Sequence, residues 1–190
     1  MKVTKAQAQA NRAHIVETAS ALFRERGYDG VGVADLMAAA GFTHGGFYKH
    51  FGSKTDLMAE AASCGLAQSA EAAADMDLAD FLSHYLSREH RDAPGKGCTM
   101  AALCADAARQ PASVKAAFAA GIEAQVSNPG PHGQPDEKAG TELRARRIAL
   151  MAQAVGAVVL SRSCPDDAPL ADEILDICRA DILKRLASKG

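Results

Sequence analysis

Glycine punctuation constrains the first sixty residues of this chain more tightly than any other feature. Ile15, Ala19, Leu22 and Phe23 recur at helical spacing within a stretch from about residue 5 to Arg26. Gly27 then stands where a left-handed C-terminal residue is wanted. A connector, YDGVG, leads into a second helix from about Val33 to Ala40, closed by Gly41. Thr43 is placed to N-cap a third, short helix reaching about His50. Ser53, with Asp56 three residues later, forms a capping-box variant that opens a long fourth helix toward residue 74. Two short helices joined by a glycine-containing turn, between two longer ones, have the layout of a helix-turn-helix.

Gly45 and Gly46 fall inside that third helix, beside Phe47, Tyr48, Lys49, His50 and Phe51. Each glycine costs a helix interior about 1 kcal/mol relative to alanine. Two readings account for them. A recognition helix presents its N-terminal residues to base edges and phosphates, and removing side chains there lets backbone approach a duplex. Alternatively, the glycines accommodate tight packing between the second and third helices. Phe47 and Phe51 read as core, because a head this small needs aromatic filling.

The remainder is helical as well. The 190 residues include 41 alanines, the best helix former, and no run of alternating β-branched residues. Further helices are expected near 78–91, 100–110, 112–126, 139–162 and 170–187, about nine in all. DAPGKG at 92–97 reads as a loop, and SNPGPHGQPDE at 127–137 as a longer, mobile one. The fold class is all-α, with a head at 1–52 and a helical body at 53–190.

Charge is divided unevenly: residues 1–55 carry +3 and the rest −5. A basic head on an acidic body suits nucleic-acid binding. The N-terminus lacks the apolar core of a signal peptide, and VGAVVL at 155–160 is too short to span a bilayer. Five cysteines with no CxxC pair suit reduced thiols. Together these features lead us to expect a cytoplasmic protein with no membrane partner. GSKT at 52–55 imitates the end of a P-loop, but Ser53 separates Gly52 from Lys54, which excludes nucleotide hydrolysis by that motif. The six histidines show no i,i+4 pair, so neither a metal nor another cofactor is expected. No catalytic constellation follows from spacing, and the chain is not read as an enzyme.

The stretch IVETASALFRERGYDGVGVADLMAAAGFTHGGFYKHFGSKTDL, Ile15 to Leu57, resembles the N-terminal DNA-binding domain of the tetracycline-repressor (TetR) family of bacterial regulators. The apolar helix, the Gly-Tyr turn, DLMAAAG and FYKHFGSKTDL match in order and spacing. The resemblance implies DNA-binding roles for Thr43, His44, Gly45, Gly46, Tyr48, Lys49, His50 and Lys54. Thr43 would meet phosphate or cap the helix, and His44 a base edge or phosphate. Tyr48 and His50 match a phosphate-contacting pair, and Lys54 a basic residue that reaches the DNA backbone. The chain departs from the family at Gly32, where the second helix usually opens with a hydroxyl residue.

The resemblance further implies a repressor that binds a palindromic, double-stranded DNA operator as a homodimer and leaves it when a small-molecule inducer binds. Wide apolar stripes on the last two helices supply dimer candidates: Ala152, Val155, Gly156, Val159, Ile174, Cys178 and Ile182. Pocket candidates are Cys64, Phe81, Tyr85, Met100, Leu103, Cys104, Phe118, Ile122 and Met151. Cys98, after a Gly-rich loop and near Lys96, stands where a helix N-terminus would lower a thiol's pKa, which makes it a candidate redox or electrophile sensor. A rival of another class is a helical ligand carrier or small enzyme whose head has lost DNA binding.

Overall fold

The computed structural model describes residues 4–74, 76–127 and 137–188. Most of the loop expected at 127–137 therefore lies outside the described residues. Among those described, the chain is entirely helical: α1 (Lys5–Arg26), α2 (Val33–Ala39), a 3₁₀ segment (His44–Lys49), α3 (Lys54–Ala74), α4 (Leu78–Tyr85), α5 (Arg88–Asp92), a 3₁₀ turn (Pro94–Lys96), α6 (Thr99–Ala107), α7 (Ala112–Ser127), α8 (Glu137–Arg162) and α9 (Pro169–Ala187). Gly27 and Gly41 have positive φ, +73° and +79°, which side-chain-bearing residues rarely adopt. The single helix expected over 78–91 is broken, because the Ser87 hydroxyl accepts the His90 N–H at 3.2 Å and starts α5.

Two compact units emerge, residues 1–69 with 94–121, and residues 70–93 with 122–190. In the first, Ile15, Ala19 and Phe23 of α1 are sealed with Leu36 and Met37 of α2 and Leu57 and Leu66 of α3. Tyr28 is fully buried, its ring 5.0 Å from that of Phe23. Arg24 joins α1 to the 94–121 segment: Nε and Nη2 donate to the Gly95 carbonyl at 3.1 and 2.9 Å. Its Nη1 donates to Ser20 Oγ at 2.7 Å and Thr99 Oγ1 at 3.4 Å. Asp106 of α6 accepts the Tyr28 N–H at 3.3 Å.

In the second unit, Arg91 is the polar hub, only 3% exposed. Its guanidinium donates to Ser161 Oγ at 3.0 Å, the Cys164 carbonyl at 3.2 Å and Asp166 at 2.9 Å. Those bonds hold α5 to the end of α8, whose Ala154, Ala157 and Val158 pack inward. His90 beside it is buried, its Nδ1 2.7 Å from the Tyr85 carbonyl.

Gly65 explains how a glycine survives in the middle of α3. A Cβ there would lie 2.4 Å from Thr99 Oγ1, 2.5 Å from Ser20 Oγ and 2.6 Å from Arg24 Nη1, which donates to both hydroxyls. Gly65→Ala is expected to lower stability by about 1–3 kcal/mol through overpacking, despite the gain of about 1 kcal/mol in propensity; urea unfolding checks this. Burial lowers the His90 pKa, with Arg162 and His84 acting in the same direction and the Tyr85 hydrogen bond opposing. The unfolded chain thus takes up this proton first as pH falls below about 6.5. Stability contributed above that pH is lost as the folded-state pKa is approached from above. The unfolding midpoint should decrease as pH falls below about 6.5, and His90→Gln should flatten that slope.

Candidate nucleic-acid interface

The segment after Gly41 is built as a surface on an aromatic platform. Its third helix is 3₁₀ rather than α, with the Gly46 N–H donating to the Thr43 carbonyl at 2.9 Å. Two glycines in six residues weaken α-helical propensity, and short 3₁₀ runs tolerate this. Phe47 is fully buried and Phe51 is 3% exposed, their ring centroids 5.5 Å apart. The core reading of both phenylalanines therefore holds. Their burial, not the segment's own hydrogen bonds, fixes which face turns outward.

Thr43, His44, Gly45, Tyr48 and Lys49 are exposed on that face, and His50 is half-buried. Tyr48 is 69% exposed. With about three residues per 3₁₀ turn, positions three apart share a row, so Gly45 lies above Tyr48 and Gly46 above Lys49. A Cβ on Gly45 would meet nothing within 4 Å, and one on Gly46 only Met37 Cε at 3.5 Å and Thr43 Oγ1 at 3.8 Å. Tight packing between α2 and this segment therefore does not demand either glycine. The Thr43 hydroxyl makes no capping bond to the segment. Gly32 does N-cap α2, its N–H donating to Asp35 Oδ2 at 3.1 Å.

Lys54 is less free than its place in the first turn of α3 suggests. Its ammonium donates to the Tyr28 carbonyl at 2.5 Å and lies 5.9 Å from the Phe23 ring centroid. Two ammonium hydrogens remain for other acceptors. Ser53 caps α3 as expected, accepting the Asp56 N–H at 3.1 Å.

A residue with no local sequence signal completes the site. Arg12 of α1 donates from Nε to the His50 carbonyl at 3.2 Å and pairs through both Nη atoms with the Glu60 carboxylate of α3. Its guanidinium carbon sits 4.7 Å from the Phe51 ring centroid. The Glu60 hydrogen bond is the main reason the Arg12 pKa is raised.

The remaining candidates divide between the units. Cys64, Met100, Leu103, Cys104 and Phe118 belong to the first; Phe81, Tyr85, Ile122 and Met151 to the second. Met100, Leu103, Phe118 and Tyr85 are buried, the others half-buried. Cys98 does N-cap α6, yet it is only 8% exposed. Cys104 is raised to about 11, by burial first and then by Cys98, which disfavours its thiolate at neutral pH. On α8 and α9, Ala152 is exposed and Val155, Gly156, Val159, Ile174 and Cys178 are half-buried, whereas Ile182, 1% exposed, serves the chain's own core. Ile148, Leu160, Leu170 and Ile177 are the large apolar side chains left exposed there. No described helix is long and apolar enough to cross a membrane. Among the described residues no cluster of three or more His, Cys, Asp or Glu is arranged to hold a metal ion.

Comparison with known proteins agrees with this geometry. The family model for bacterial regulatory proteins of the tetR family matches residues 15–61. The HTH-type transcriptional regulator AcrR of Shigella flexneri is 40% identical over 57 residues, covering 30% of this chain and 26% of AcrR. The match thus spans about a quarter of that relative's length. A TetR-family transcriptional regulator from Agrobacterium tumefaciens superposes with a TM-score of 0.69 at 20% identity, over 94% of this chain and 98% of that one. AibR, solved in complex with isovaleryl coenzyme A and operator DNA, superposes with a TM-score of 0.52 at 19% identity, over 89% and 96% of the two chains.

The open space at Gly45 has a direct consequence for stability. Gly45→Ala should leave the thermal midpoint unchanged or raise stability by up to about 1 kcal/mol, measurable by calorimetry. A clear loss of stability would show that the backbone, not DNA access, requires glycine at this position.

Proposed function

We propose that this chain, whose N-terminal domain belongs to the TetR family of bacterial regulatory proteins, is a DNA-binding transcription regulator that represses by occupying a palindromic operator as a homodimer. One observation carries the reading: Thr43, His44, Gly45, Tyr48 and Lys49 are all exposed around the buried Phe47–Phe51 platform, and Gly45 leaves open space where a duplex would approach. Tyr48, Lys49 and His50 supply phosphate contacts, which position the head, while His44 reaches a base edge, which specifies. Lys54 adds a phosphate contact with its remaining hydrogens.

One head is too small to be selective. A twofold dimer would place two heads on half-sites about 34 Å apart, one helical turn or a multiple of it. The exposed Ile148, Leu160, Leu170 and Ile177, with Ala152 and Gly156 offering close approach, support pairing through α8 and α9. Residues 1–52, with Lys54 at the start of α3, thus contact DNA, and the rest of 53–190 carries dimerisation and ligand response in a cytoplasmic protein. An inducer, held by buried apolar side chains of the body, would favour a head arrangement that no longer fits the operator. AibR, solved in complex with isovaleryl coenzyme A and operator DNA, is a precedent for a small-molecule site and a DNA site in one protein, not for release.

An electrophoretic shift with the DNA flanking the chain's own coding region tests the proposal. Selective binding that weakens steeply with salt is expected, and Gly45→Ala should cost about tenfold in affinity without loss of fold. Equal, weak binding to every fragment would favour the carrier reading instead. Ile177→Asp should shift sedimentation from dimer to monomer.

A further inference from the structure

We propose that Arg12 is a positioning residue for DNA recognition, a latch that holds the C-terminal end of the recognition segment between α1 and α3. The inference rests on the DNA-binding reading above and names how that surface is kept in place.

The segment cannot hold itself. Six residues of 3₁₀ geometry with two glycines have few internal bonds, and the last carbonyls of any helix lack an intrahelical partner. The His50 carbonyl, at the C-terminal end of the segment, accepts Arg12 Nε at 3.2 Å. A guanidinium there also suits the negative end of the helical dipole. The same guanidinium is oriented by a two-pronged pairing with Glu60 and lies against the Phe51 ring. Three elements therefore meet on one planar group: α1 supplies it, α3 aims it through Glu60, and the recognition segment receives it. Arginine suits this role because its fork engages a carboxylate while Nε remains available, which a lysine ammonium cannot reproduce. The side chains of Arg12 and Glu60 are 40% and 37% exposed, so the pair adds little to global stability and its effect is local.

Glu60→Gln provides the deciding test, because the two explanations differ in sign. Removing a negative charge from a DNA-binding head should tighten binding if charge alone matters. If Glu60 aims the latch, binding should instead weaken by about three- to tenfold, and Arg12→Gln should do the same. The double exchange Arg12→Glu with Glu60→Arg restores an ion pair but leaves no guanidinium on α1, so the thermal midpoint should stay near wild type while the affinity stays low. In the free protein, the amides of Gly46, His50 and Phe51, which close the segment's own turns, should exchange faster with deuterium in Glu60→Gln and Arg12→Gln. That exchange is read without DNA, so it decides on the latch even if the wild type binds no operator fragment, a result that would overturn only the DNA-binding reading. Unchanged exchange, or a Glu60→Gln variant that binds as tightly as wild type or tighter, would overturn the latch. So would a reduction of the salt slope by about one in Arg12→Gln with Glu60→Gln unaffected, which would make Arg12 a direct phosphate contact.

Discussion

The surface that faces outward after Gly41 depends on the burial of two phenylalanines. A six-residue 3₁₀ segment with two glycines has no amphipathic helix's worth of internal order. Phe47 and Phe51 supply the order from outside, one fully sealed and the other nearly so. Each buried aromatic ring contributes roughly 1.5–3 kcal/mol, more than the glycines forfeit. Once those rings are seated, Thr43, His44, Gly45, Tyr48 and Lys49 have only one direction left to face.

Both units use a buried or half-buried arginine in the same manner. Arg24 ties α1 to the segment around Gly95 and Thr99, and Arg91 ties α5 to the end of α8. Taking a guanidinium from water is costly, and each is compensated by several acceptors, backbone carbonyls among them. For Arg24, desolvation outweighs the neighbouring thiols and lowers its pKa, though it remains charged. Gly65 is part of that arrangement, since only a bare Cα leaves room for the Ser20–Arg24–Thr99 group. Such hubs locate helices more specifically than apolar contact, because a guanidinium fork fits few geometries.

What the sequence made legible was local. Gly27, Gly41 and Ser53 marked helix ends because positive-φ turns and hydroxyl caps are set by neighbours within a few residues. Phe47 and Phe51 were readable as core because a head this small needs aromatic filling, and both are buried. Three features escaped because their causes are distant or competitive. The His50 carbonyl meets Arg12 across 38 residues of chain, and no pattern links them. Lys54 reads as a free cation until the Tyr28 carbonyl is seen beside it. The break at Leu86–Ser87 arose where a serine hydroxyl competed with helix continuation, a contest that periodicity does not register. Ile182 shows a further limit: a wide apolar stripe does not say which of its residues serve the chain's own core.

The empty space beside Gly45 also bears on how such a protein diversifies. Most positions in a small domain answer to its own stability, so a change of residue is judged first by the fold. Position 45 has no neighbour within reach of a Cβ, so the fold holds no veto there and only the external partner selects. Under the DNA-binding role proposed above, sequence preference can drift or be re-engineered at this position with little structural penalty, while the platform beneath stays as it is.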